Sequence, residues 1–374
     1  MVAGGVADLL GMSPQRLDDP PTDAAVTLPE DLFAKPNVQT EWWYYTGHCK
    51  TLSGREFGFE LVFFKRRSDR DKLAGIPLTV IGNPMYFAHF AISDISADSF
   101  RYEHLRSFGR VFDHAASASD TACDVRLRDW TLKEVGGRHV LHATLDDGLV
   151  FDAILEPAKP LVLNGDAGSG IAKKGEGASV HFSYTRMKVD GTLSETGRSE
   201  PFTGTAWMDR EFGSWEHGVW DWFSIQFDDE TELMIYQFRD ENGEPGESTG
   251  TYVAADGNAI YQRRSDFEIE ERGFWKSPRN EAVYPAKWNV KIARLDIDID
   301  IVSLIPDQEL DTRGTTMVVY WEGACSVVGR KGESAVTGRA YVELVGYDMS
   351  HADVGIADFL LGPSFVELRR RLGK

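Results

Sequence analysis

From residue 37 onward, apolar and polar positions alternate with the period of two that a strand imposes. Glu56 to Phe64 sets Phe57, Phe59, Leu61 and Phe63 against Gly58, Glu60, Val62 and Phe64. Met85 to Asp94 places Tyr86, Ala88, Phe90 and Ile92 opposite Phe87, His89 and Ala91. Shorter runs at 122–127, 130–135, 138–145 and 150–156 predict further strands, separated by turn dipeptides such as Gly136-Gly137 and Asp147-Gly148. The second half repeats the style at 220–228, 232–239, 250–254, 267–274, 288–293, 295–304, 315–328 and 335–347. Many short strands joined by Gly-rich turns predict an all-β barrel or sandwich, and the two aromatic-opened halves predict two barrels side by side. The expected divisions are an irregular arm at 1–36, barrels at 37–206 and 207–350, and a tail at 351–374. In that tail Ile356, Phe359, Leu360, Phe365, Leu368 and Leu372 suit a short amphipathic helical segment.

Within the first barrel, Glu41-Trp42-Trp43-Tyr44-Tyr45-Thr46-Gly47-His48 puts four large aromatics in a row. As a strand it sends Glu41, Trp43 and Tyr45 to one face and Trp42, Tyr44, Thr46 and His48 to the other. Both faces are apolar with a polar handle, which suits the wall of a ligand cavity. Similar chemistry returns at Trp207-Met208-Asp209-Arg210-Glu211-Phe212 and at Trp220-Asp221-Trp222-Phe223. The two stretches are expected to face one another across a pocket.

The 374 residues carry a formal net charge of −19, with 42% hydrophobic and 26% charged residues. That balance describes an ordinary globular chain and disfavours nucleic acid or anionic membrane surfaces as partners. Cys49, Cys123 and Cys325 are too few and too scattered for a disulfide framework, so a reducing, cytoplasmic setting is expected. No apolar run reaches the roughly 20 residues of a membrane helix, and stable membrane insertion is not expected.

Familiar catalytic patterns fall away. Gly165 to Gly170 is glycine-rich but has neither dinucleotide nor P-loop spacing, and reads as a loop near a cavity mouth. His139 and His142 are three apart in a strand and so lie on opposite faces, which excludes joint metal ligation. Asp296, Asp298 and Asp300 alternate with isoleucines as on a strand with one wet face, and Ile301 stands where a calcium loop needs glycine. Acid chemistry in an aromatic cavity remains. A carboxyl buried among rings is held protonated, it can donate to an alkene, and Trp and Tyr faces stabilise the resulting cation. Glu41, Glu60, Asp209, Glu211 and Asp221 are the acids set among aromatics.

At these residues the sequence resembles the carotenoid 1,2-hydratase and AttH-like family. The resemblance lies in Asn37 to His48 with Gly58-Phe59-Glu60-Leu61 and Ala88-His89-Phe90, then in Gly204 to Gly213 with Trp220 to Phe223 and Tyr236 to Arg239. It continues in Trp275-Lys276-Ser277, Tyr284 to Trp288, Tyr320-Trp321-Glu322-Gly323 and Gly338 to Leu344. The resemblance implies two lipocalin-like β-barrels with an apolar pocket in or between them. It implies an isoprenoid or polyketide substrate and, by analogy with relatives, hydration of an alkene or cyclisation of a polyene. The family's Asp-His-Glu-Trp is here Asp209-Arg210-Glu211-Phe212. Arginine does not titrate near neutrality, so Arg210 is expected to pair with Asp209 or Glu211.

The functional expectation is a hydratase, dehydratase or isomerase of an apolar alkene that needs no metal or organic cofactor. A cyclase working by substrate preorganisation and a carrier of a hydrophobic ligand are the alternatives. Glu41 or Asp209 is the expected acid, and Tyr236 and Arg239 orient water or a substrate oxygen. Trp43, Tyr45, Trp220 and Trp222 line the pocket, and His89, Arg210 and Glu211 complete its polar contacts.

Overall fold

The alternating runs pair into two antiparallel sheets in the computed structural model, which describes residues 17–19, 21–22, 26–67, 72–73, 76–77, 84–107, 115–174, 177–215, 219–239 and 245–348. The helical segment expected in the tail at 351–374 lies outside the described residues. The first sheet has Thr40–Thr51 at its centre, flanked by Glu56–Arg66 and Arg198–Ser214. It continues through Met85–Asp94 to Ser99–Ser107 on one side and through Gly177–Glu195 and Val150–Pro157 toward Ala116–Ala118 on the other. The second runs from Ala259–Arg263 through Glu232–Arg239, Val219–Phe227, Ser334–Val345 and Val319–Lys331 to Glu268–Lys276. The fold is all-β, and the sheets curl as two lipocalin-like barrels.

Each barrel has its own apolar core. Trp43, Tyr45, Phe57, Phe59, Phe90, Trp130 and Phe151 fill the first, and Phe223, Trp288, Ile299, Trp321 and Val342 fill the second. A third cluster, with Tyr44, Val62, Trp207, Trp222, Met234, Tyr236 and Tyr341, joins the barrels. The strands along this seam are therefore buried on both faces, which is why they read as nearly unbroken apolar runs. The Arg198–Ser214 strand belongs to the first sheet over its whole length, and Val219–Phe227 belongs to the second. The Gly177–Glu195 and Arg198–Ser214 strands form a long hairpin closed at Thr196-Gly197, whose φ values of 50° and 78° suit a two-residue turn with both central residues left-handed.

Smaller expectations meet the structure as follows. Ile297, Ile299 and Ile301 are buried along one face of Ile297–Ser303, as a strand with one wet face requires. His139 bonds the Tyr45 hydroxyl at 2.7 Å, whereas His142 bonds Asp152 on the outer face. Cys49, Cys123 and Cys325 are free and buried. The glycine-rich run folds as a short turn at Asp166–Gly168, and Gly170 accepts a bond from the backbone N–H of His181. Among the described residues, no helix is long and apolar enough to cross a membrane.

Candidate functional site

A cavity of about 360 Å³ lies at the seam and takes walls from both barrels. Trp42 and Tyr44, Val62 and Phe64, and Trp215 line it from the first barrel. Trp220, Trp222, Tyr236, Tyr320 and Val345 line it from the second. The volume lies in the lower part of the range for small-molecule sites.

One end of the cavity is a buried acid cluster. Glu60 and Glu322, from different barrels, are 1% exposed and interact directly, with Glu343 beside them. Burial, then the negative charge of Glu343, pushes the Glu60 carboxyl up to about 8, although the Tyr320 hydroxyl and Glu322 oppose the shift. Burial, then the charges of Glu60 and Glu343, raises Glu322 well above the carboxylate range. Two buried carboxyls in contact cannot both ionise cheaply, so the pair retains a proton near neutrality.

Tyrosine and tryptophan donors hold this cluster. The Tyr44 hydroxyl donates to Glu322, the Tyr320 hydroxyl donates to Glu60 at 3.1 Å, and Trp220 Nε1 donates to Glu343 at 2.9 Å. His89 Nδ1 meets the Tyr320 hydroxyl at 2.7 Å, and burial holds its imidazole neutral by lowering its pKa well below the usual histidine value. Apart from the Glu322 carboxyl, no donor reaches Glu60 Oε2, and His89 Nε2 and Trp222 Nε1 are buried without hydrogen-bond partners.

A second polar group on the cavity wall comes from the 177–214 hairpin. Asp209 accepts bonds from Ser183 Oγ and, at 2.7 Å, from Trp207 Nε1, and its second oxygen lies 3.1 Å from His181 Nε2. Ser179 donates to Glu211. Burial, then the charges of Glu211 and Glu343, raises the Tyr236 phenol well above its ordinary value.

Of the residues singled out in the sequence, Asp209, Glu211, Tyr236, His89, Trp220 and Trp222 meet at this cavity. Glu41, Trp43, Tyr45 and Arg210 do not. They share the opposite face of their strands and point into the first barrel, where Trp43 and Tyr45 belong to the core. Glu41 is fully buried between Lys65, at 2.5 Å, and Arg210, and it also accepts the Lys35 backbone N–H. Clamped between two cations on the core side of its strand, Glu41 does not face the cavity.

Arg210 therefore pairs with Glu41 and not with Asp209 or Glu211, and its guanidinium lies 4.2 Å from the Trp43 ring centroid. Strand alternation is the reason, because neighbours in sequence face opposite ways. Arg239 is likewise outside the lining. It pairs with Asp221, Glu271 and Tyr347 on the face of its strand opposite Tyr236.

Sequence reasoning passed over Tyr44, Tyr320, Glu322 and Glu343 as site residues. Their signal was present in the alternation: Tyr320 and Glu322 are two apart on one strand, and Glu343 pairs in register with Glu322.

The AttH-like family model matches residues 19–347. A crystal structure of a putative AttH, NE1406 from Nitrosomonas europaea, is 30% identical with a TM-score of 0.77, covering 88% of this chain and 100% of that one. Kievitone hydratase from Nectria haematococca is 17% identical with a TM-score of 0.68, covering 90% of this chain and 98% of its own. CghA is 12% identical with a TM-score of 0.51, covering 89% and 96%. The last two likenesses concern the fold. A search of curated protein sequences found no match. With the family model matched over most of its length, and a relative at 30% identity spanning the whole of that chain, this protein belongs to the AttH-like family.

Proposed function

We propose that the chain is a hydratase, dehydratase or isomerase of an alkene in an apolar, isoprenoid-like or polyketide molecule, with the Glu60–Glu322 pair as its acid. The observation that carries this reading is a proton-retaining pair of buried carboxyls set in an aromatic cavity between two barrels. The shared architecture with kievitone hydratase supports it.

In this mechanism the carboxyl proton passes to an alkene carbon, and the positive charge develops over the faces of Tyr44, Trp220 and Trp222. Electron-rich rings stabilise such a charge without acting as nucleophiles. Water then adds and gives up a proton, or a neighbouring C–H gives up a proton, and the carboxyl is restored. Asp209, Glu211 and Tyr236 orient the water or a substrate oxygen. The acid role first expected of Glu41 or Asp209 thus passes to the Glu60–Glu322 pair, and the orienting role first expected of Tyr236 and Arg239 to Tyr236 with Asp209 and Glu211.

The test is turnover of a panel of terminal-alkene isoprenoids and prenylated phenols, with binding followed by native mass spectrometry. Glu60→Gln and Glu322→Gln should each lower turnover by about 10² to 10⁴ and still bind. Unchanged turnover in both variants overturns the assignment, and binding without turnover in every form identifies a carrier.

A further inference from the structure

The chemistry of the cavity lining is one-sided. Glu60, Asp209, Glu211, Glu322 and Glu343 bring five carboxyl groups to its walls, whereas Arg66 is the one guanidinium among the described lining residues. The aromatic rings among these acids present π-faces, which carry negative potential. Trp220 is anchored to Glu343, and the Trp222 and Tyr44 rings meet edge-on with centroids 5.2 Å apart. Glu60 Oε2, buried in this setting, has no donor other than the Glu322 carboxyl. Glu60, Glu322 and Glu343 are not grouped as metal ligands would be among the described residues, so a compact divalent ion is not the complement of this site. A singly charged organic cation with an apolar body is.

We infer that the cavity is a site for a lipophilic ammonium, with its hydrocarbon against the tryptophans and its charged head at the Glu60–Glu322–Glu343 cluster, and that it rejects anions of the same shape. An arriving ammonium favours the ionised form of the carboxyl pair, so it displaces the retained proton. Binding of the cation therefore releases a proton to solvent near neutral pH, whereas binding of an uncharged analogue does not. The inference concerns binding alone and stands whether or not the alkene reading holds.

The experiment uses three probes of one skeleton: geranylamine, geraniol and geranic acid. Affinity is read at pH 7 from tryptophan fluorescence, and proton release from calorimetry in two buffers of different ionisation enthalpy. Geranylamine should bind about tenfold more tightly than geraniol, a difference easily resolved, with geranic acid weakest. Proton release should accompany the amine and be absent with the alcohol. Glu60→Gln and Glu322→Gln should narrow the amine preference and abolish proton release while retaining geraniol, which shows that the cavity is still folded. The inference is overturned if geranic acid binds as well as the amine, if none of the three binds the wild type, or if the amine preference survives when Glu60→Gln and Glu322→Gln are combined in one chain. Because no turnover is measured, failure of the alkene reading leaves this outcome untouched.

Discussion

Glu41 and Glu60 sit on adjacent strands of one sheet, both buried, yet their neighbours give them opposite chemistry. Glu41 faces Lys65 and Arg210 inside the first barrel. Replacing it with glutamine strands two buried cations, so Glu41→Gln should cost about 3–5 kcal/mol in urea unfolding, with geraniol binding retained below the transition. Glu60 faces another acid, and its folded pKa near 8 lies above the ordinary 4.5. The folded state therefore holds a proton that the unfolded chain loses first. Its contribution to stability is complete below about pH 4.5 and is lost as the pH rises toward 8, with a slope approaching about 1.4 kcal/mol per pH unit. Glu60→Gln should flatten that decline in a comparison of thermal stability from pH 5 to 8, and an unchanged slope would place the proton elsewhere. The sequence showed which of these side chains share a face. It did not show which face meets the cavity, because Trp42 and Tyr44 read like Trp43 and Tyr45 when one side of a strand packs on a core and the other on a second barrel.

At the scale of elements, strands whose alternation is clean were legible to the residue, as at Met85–Asp94, Trp130–Val135 and Glu232–Arg239. The 177–214 hairpin was not, although it supplies His181, Asp209 and Glu211 to the cavity. Its outer half does alternate, with Met187, Val189 and Leu193 buried against Lys188, Asp190 and Thr192, but its inner half, from Ala178 to Ser183, is buried on both faces and shows no period of two, and its length comes from pairing across the sheet. Close approach of strands is equally invisible in sequence and is visible here at Gly58. A Cβ at this position would lie 2.7 Å from the Tyr341 hydroxyl and 2.9 Å from the Ala324 Cβ, both in the second barrel. Gly58→Val should therefore wedge the seam open, costing about 1–3 kcal/mol in urea unfolding. It should also weaken geraniol binding in a fluorescence titration, although residue 58 is not part of the cavity wall. Wild-type affinity in this variant would mean that the seam yields without altering the cavity.

For the whole molecule, two cores that could each be self-sufficient are tied by a seam that is polar as well as apolar. Ser93 donates to Gln308 at 2.6 Å, Gln226 Nε2 donates to the Thr185 and Ala206 carbonyls, and Arg186 meets Glu232 at 2.6 Å. The acid pair itself spans the seam, so the cavity exists only while both barrels are folded and docked. A ligand bound there stabilises the docked state by mass action and can do nothing for either barrel alone. Urea unfolding of Gly58→Val, with its loosened seam, should separate into two transitions that fluorescence and circular dichroism resolve. Geranylamine at a hundredfold excess over its Kd should draw them back into one and shift it by about 2.7 kcal/mol. If the ligand moves only one transition, the binding site belongs to a single barrel, and the arrangement of carboxyls from two sheets around one charge is not what holds it. The net charge of −19 acts in the same direction at longer range, drawing cations toward the molecule and repelling anions. Raising the salt concentration should therefore slow association of geranylamine more than that of geraniol, and leave the proton released at the buried pair unchanged.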